Sequence, residues 1–123
     1  MATKIKIDND QKIIKRAVSG VLYTDRAIKL VRELSIAAAL QKDYGILMDL
    51  RESVTAPEIT DLMAIMSAWS RLAGRFDNKI AIIFSKNEEH TRFAQLFKAC
   101  MEAQGFEFRQ LFDYDTAIEW LTG

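Results

Sequence analysis

Apolar runs alternate along this chain with stretches whose apolar positions recur every three or four residues, and that contrast predicts its elements. Residues 4–8 (KIKID) alternate as a half-exposed strand. Asn9 and Asp10 are turn formers, and residues 12–19 (KIIKRAVS) return as a second strand, making an N-terminal hairpin. Gly20 closes that strand or permits a bulge. Val21, Leu22 and Tyr23 lead to Thr24 and Asp25, either of which can cap a helix reaching about residue 42. Its inward positions are Ala27, Ile28, Val31, Leu34, Ala38 and Leu40.

Gly45 introduces the apolar run at 46–50 (ILMDL), which reads as a buried central strand. A polar loop, Arg51-Glu52-Ser53-Val54, follows it. The next helix opens on a T-x-x-E capping box, Thr55 with Glu58, and carries Pro57 in its first turn. Ile59, Leu62, Met63, Met66 and Ala73 form its core stripe, with Trp69 at the margin and Gly74 as the C-terminal cap. Residues 79–84 form the next strand. Ser85 and Glu88 make a second capping box, for a helix running to about residue 104 with Phe93, Leu96, Phe97, Cys100 and Met101 inward. Gly105 stops it, residues 106–112 alternate as an edge strand, and Asp113 or Asp115 begins a last helix through Trp120 and Leu121.

The order is β-β-α-β-α-β-α-β-α, an α/β fold with a single, mostly parallel five-stranded sheet opened by one antiparallel hairpin. Residues 1–123 read as one domain. Crossovers between parallel strands are right-handed, so a sequential strand order puts every crossover helix on one face of the sheet. The central strands are nevertheless apolar on both sides. The second face then needs a cover of its own: a terminal element, a partner, a second copy or an apolar ligand.

Composition narrows the classes. Half of the 123 residues are apolar, and 17 lysines and arginines balance 17 aspartates and glutamates. Neutrality argues against a broad nucleic-acid-binding face and leaves no net field to keep copies apart. One cysteine excludes an internal disulfide and fits a reducing cytoplasm. The charged N-terminus has no apolar signal core, and no apolar run approaches the ~20 residues that span a bilayer. One histidine and one cysteine make no recognisable metal site, and without a glycine-rich loop there is no nucleotide fingerprint. His90 reads as a solvated residue and Cys100 as a small core residue. Asp49, inside an apolar strand, reads as a structural carboxylate that accepts N–H groups of the following loop. No cofactor is called for and no catalytic set assembles.

The strand ILMDL leading into a hydroxyl-bearing loop and helix, together with the ending D-x-x-x-A-I-E-W-L over residues 113–121 (Asp113, Ala117, Ile118, Glu119, Trp120, Leu121), resembles the STAS superfamily. These domains are similar to bacterial anti-sigma-factor antagonists. The resemblance implies a sequentially ordered β/α superhelix and a non-enzymatic regulatory role through protein contacts. Classical members carry a motif like D-L-S-G-V-x-x-I-D-S-S-G with a phosphorylatable serine. Here Asp49 and Leu50 match its start, Arg51 and Glu52 replace S-G, and Pro57, Glu58 and Ile59 occupy the D-S-S positions. The resemblance therefore implies a divergent branch without the usual serine switch. The same superhelix is shared by lipid-exchange proteins of the CRAL-TRIO type.

Several residues become candidates. Arg51, Glu52, Ser53 and Thr55 of the loop, with Ile65, Trp69 and Leu72 on the helix after it, are expected to form a surface for a protein partner or a second copy. The apolar arc of that helix is wider than one core face needs, and aromatic and methionine side chains suit interfaces. Ser53 and Thr55 are the candidate modification sites. Thr24, Arg51, Ser85, Lys86 and Asn87 gather at helix starts that can seat an anion. The alternative is a carrier or sensor of a small apolar or anionic ligand, motivated by the two-sided apolar strands.

Overall fold

A computed structural model of the protein describes residues 5–55, 59–72, 77–84 and 92–123; the side chains of Thr55, Ile59 and Thr60 lie outside that description. The capping boxes at Thr55/Glu58 and Ser85/Glu88, with Pro57, Ala73, Gly74, Lys86, Asn87 and His90, fall wholly or partly outside the described residues.

The elements follow the expected order: β1 (Lys6–Asp8), β2 (Ile13–Leu22), α1 (Thr24–Leu40), β3 (Gly45–Thr55), α2 (Ile59–Ser70), β4 (Ile80–Phe84), α3 (Arg92–Ala103), β5 (Phe108–Leu111) and α4 (Tyr114–Thr122). They build one five-stranded sheet in sequential order, β1 antiparallel to β2 and the rest parallel. Helices α1, α2 and α3 pack on one face, over Ile14, Val18, Ile46, Met48, Ile80, Ile82 and Phe108. The terminal helix α4 lies on the other, where Ala117 and Leu121 close over Ile13, Leu47, Ala81 and Ile83. The part of the second face at Ile13, Leu47, Ala81 and Ile83 is thus covered by the chain's own last element. Every residue of β4 is buried because both layers sit on it.

Local chemistry sets the boundaries. Asp113 caps α4, its Oδ1 accepting from the Thr116 N–H at 2.8 Å. Gly105, at φ +86°, takes the left-handed turn that ends α3. Asn78 is buried just ahead of β4, and its amide donates to the Gln41 and Tyr44 carbonyls at 3.2 and 2.7 Å, satisfying the turn between α1 and β3.

Three expectations need correction. Neither Thr24 nor Asp25 caps α1: Tyr23 holds the N-cap position without a side-chain hydrogen bond, and the helix begins at Thr24. On that helix Leu30 and Ala37 are buried and Leu40 is exposed, because the chain turns away at Gln41 before Leu40 reaches the sheet. The segment 51–55 is not a loop; β2 and β3 continue together past Gly20 to Leu22 and Thr55.

Candidate functional surface

The extension of β3 is produced by a bulge. Ala17 pairs with Asp49 and Ser19 with Glu52, so three residue steps on β3 run against two on β2. Asp49 closes the bulge from within. Its Oδ1 accepts from the Arg51 N–H at 3.1 Å and from Arg51 Nε at 2.9 Å, while Oδ2 accepts from Nη2 at 2.7 Å. The structural role expected for Asp49 is the one it has, with the added bidentate pairing that guanidinium and carboxylate geometry favours. Burial alone would push the Asp49 carboxyl up, but the Arg51 side chain and N–H outweigh it and hold the group below its ordinary value.

Beyond the bulge the alternation resumes. Ser53 turns toward the helical layer, is buried, and donates its hydroxyl to the Leu50 carbonyl at 2.8 Å. Leu22 is buried on that side too. Val21 and Val54, paired in register, point to the opposite face and are 45% and 54% exposed. Tyr23, next along the chain, is 67% exposed. Arg26, early in α1, braces this ribbon: its Nη1 donates to the Ser19 carbonyl at 2.8 Å and the Val21 carbonyl at 3.0 Å, on either side of Gly20. Gly20 itself sits at φ +81°, a conformation that disfavours a side chain.

Helix α4 does not reach this ribbon. It covers the second face from Gly45, where a Cβ would sit 2.9 Å from Leu121 Cδ2, up to the level of Lys15 and Tyr114. Above that level lie Ala17, Val21, Glu52 and Val54, all exposed. The result is a two-strand platform with an apolar centre, flanked by the exposed charges of Arg51 and Glu52.

The expected site residues divide accordingly. Arg51 and Glu52 are on the open face. Ser53 is not, and its buried, engaged hydroxyl removes it as an accessible modification site. Thr55 ends β3, opposite Leu22. Ile65 and Trp69 are core residues, a correction to their assignment as a partner surface. Trp69 is 1% exposed and meets Phe97 and Phe106 edge to face, at centroid distances of 6.3 and 5.7 Å. Leu72 is half-buried against the same core. The inward stripe of α2 is Leu62, Ile65, Met66 and Trp69, and Met63 faces solvent. The wide apolar arc is used because α2 packs against both α1 and α3, and its inward residues share one core with Met48, Ile82 and Phe84 of the sheet.

Of the anion candidates, Thr24 is half-buried at the start of α1, Arg51 is already paired with Asp49, and Ser85, Lys86 and Asn87 are outside the described residues. Cys100 is a half-buried free thiol. Among the described residues no three His, Cys, Asp or Glu side chains gather to hold a metal, and no helix is long and apolar enough to cross a membrane. Sequence reasoning missed Val21, Tyr23 and Val54. Their signal was present in β-branched and aromatic residues on both sides of polar positions, but Gly20 and the Arg51-Glu52 pair interrupt it.

An apolar cavity of about 30 Å³ lies between the sheet and α1–α3, lined by residues that include Leu30, Met48, Trp69 and Phe97. That is far below the ~150 Å³ that holds a benzene ring. No protein-family model matches this chain, and no curated protein matches it.

Proposed function

We propose that this chain is a regulatory, protein-interaction module of the STAS type, acting in the cytoplasm without catalysing a reaction. Its contact surface is the β2–β3 ribbon rather than a loop and the helix behind it. The observation that carries this reading is the in-register exposed pair Val21–Val54, with exposed Tyr23 at the turn into α1 two residues beyond Val21, on a platform that α4 leaves uncovered. Apolar side chains held on a two-strand backbone with a charged rim have the composition of a protein-docking surface. The sequential sheet agrees with the fold the STAS resemblance implies. Regulation here would not use Ser53, whose hydroxyl is engaged in the fold. A reducing compartment suits the free thiol of Cys100. The carrier reading has less support for a lipid, since the apolar cavity within the core has only about 30 Å³. The roomier hollows of about 500 Å³ are lined in part by charged residues, Lys42 and Asp77 in one and Lys6, Asp8, Asp10 and Lys15 in the other.

Photo-crosslinking tests the proposal. A benzophenone amino acid replaces Val54 in one variant and Lys98, exposed on α3, in another. The expected result is one discrete adduct from position 54 that disappears when Tyr23→Lys is added. Its mass distinguishes a second copy from another protein. Identical adducts from both positions, or none from position 54, refute the surface.

A further inference from the structure

The N-terminal hairpin contains an arrangement that sheet energetics disfavours. Lys6 and Lys15 are directly paired across β1 and β2 and stand on the same face, the one that carries α4. Like charges directly opposite each other destabilise a strand pair. Asp8 offsets them only loosely, accepting from Lys15 Nζ at 3.5 Å. An ammonium has three donors, so the Asp8 contact leaves capacity to spare.

These lysines border two hollows, a wide and open one of about 500 Å³ along residues 6–10 with no aromatic wall, and a narrower cleft. Where α4 begins, Tyr114 stands over β2 and encloses about 180 Å³ with Lys6, Lys15, Ala17, Leu47 and Asp49. Leu47 and Ala17 give it an apolar floor. The Tyr114 ring forms a wall, its centre 5.3 Å from Lys15 Nζ. The Tyr114 side chain, ahead of Asp8, raises the Lys15 pKa above its ordinary value, against the lowering effect of burial. Asp49 is occupied by Arg51. At the hairpin itself Lys6 and Lys15 against Asp8 leave one positive charge in excess. Arg51 is shared by Asp49, Glu52 and Asp113, and Arg16, which also borders the cleft, is paired with Glu33, so neither adds to it.

We propose that this cleft binds a small organic monoanion, an aromatic carboxylate in size and shape. Its carboxylate sits between Lys6 and Lys15 and its apolar body lies on Ala17 and Leu47 beside the Tyr114 ring. The volume matches a single ring, by comparison with the ~150 Å³ cavity that takes benzene, and is below the ~300 Å³ at which drug-sized and cofactor sites begin. One surplus positive charge suits a monoanion, whereas a phosphate dianion would meet Asp8 and leave the apolar floor uncovered. A bound carboxylate would relieve the Lys6–Lys15 repulsion, which gives the paired lysines a role in the native hairpin.

The site adjoins the docking ribbon, sharing Ala17 with its near end, and it is tested without any partner. Benzoate is titrated into the full-length protein and followed by NMR, with benzyl alcohol and inorganic phosphate as comparisons. The expected result is saturable benzoate binding that shifts Lys15, Ala17 and Tyr114 resonances. Benzyl alcohol and phosphate should each bind about tenfold more weakly or worse, the loss expected when one charge-assisted contact or the ring burial is removed. Lys6→Gln, at an exposed position, should weaken benzoate by about tenfold, and Ala17→Leu should fill the cleft and abolish binding. Equal binding of the neutral alcohol or of phosphate overturns the proposal. Absence of saturable benzoate binding does so as well, as does wild-type affinity in Lys6→Gln.

Discussion

Replacing Trp69 by alanine separates a core role from a surface role more sharply than any other single change. Trp69 is 1% exposed, and two edge-to-face ring contacts, with Phe97 and Phe106, fix its orientation between α2, α3 and the turn before β5. An aromatic side chain of this kind buries roughly 150–250 Å². At ~25 cal/mol per Å² its removal from water is worth about 4–6 kcal/mol, part of which alanine retains. Measured truncations of buried Phe and Trp cost ~3–5 kcal/mol, including the cavity left behind. The apolar cavity already beside Trp69 would enlarge, and the surrounding strands cannot collapse into it because α4 holds them from the other face. The expected loss is therefore about 4 kcal/mol. With a urea slope of ~1–3 kcal/mol per molar, the unfolding midpoint falls by roughly 1.3–4 M. Circular dichroism is the right probe, since the substitution removes a fluorophore. A loss below ~1 kcal/mol would mean that Trp69 is not the centre of this core.

Two further outcomes follow from polar groups inside the fold. Arg16 is buried under α1, its Nε has no partner, and Glu33 lies 3.4 Å from Nη1 with its own side chain 34% exposed. Arg16→Met should be neutral or stabilising, whereas Glu33→Gln should cost about 1–2 kcal/mol in urea unfolding, because it strands a buried cation; the reverse order would refute the argument. The Asp49 carboxyl is held below its ordinary value of 3.8, so its stabilising contribution is complete above that pH and is lost as pH falls through the lower, folded value. Arg51→Ala removes the opposing cation while burial remains, and the Asp49 pKa must move up in a carboxyl-carbon NMR titration. An unchanged value would show that the Arg51 side chain does not set it.

The element order and the sequential sheet were legible because each element carries a one-dimensional signal: the run at 80–84, the helical spacing in α3, the cap at Asp113. What sequence left open was decided by pairing between distant segments. Arg51 and Glu52 look like loop residues because nothing in their neighbourhood shows that Ser19 lies beside Glu52. A bulge is invisible to alternation counting, since it shifts the phase by one residue and turns Val54, rather than Ser53, to the open face. Trp69 and Ile65 fail as surface candidates for a related reason. The arc of α2 was read against one partner layer, and the helix has neighbours on both flanks as well as beneath it.

The coverage of the second face explains why the exposed apolar residues of β2 and β3 concentrate at one end. A sequential right-handed β/α chain puts its crossover helices on one side, and only the last helix is free to cross to the other. Here α4 has nine residues, about 14 Å of helix. That length suffices for the short strands β4 and β5 but not for β2 and β3, which have 10 and 11 residues. The uncovered remainder is unavoidable unless the long strands are shortened, and the fold instead reinforces them, with a bidentate Asp49–Arg51 bracket and Arg26 clamped across Gly20. Strand length beyond what the core can cover, stiffened rather than trimmed, is what a docking platform requires. Extending α4 by two turns over Val54 would bury the platform without disturbing the core, and a module that works through this face would then lose its partner while keeping its stability.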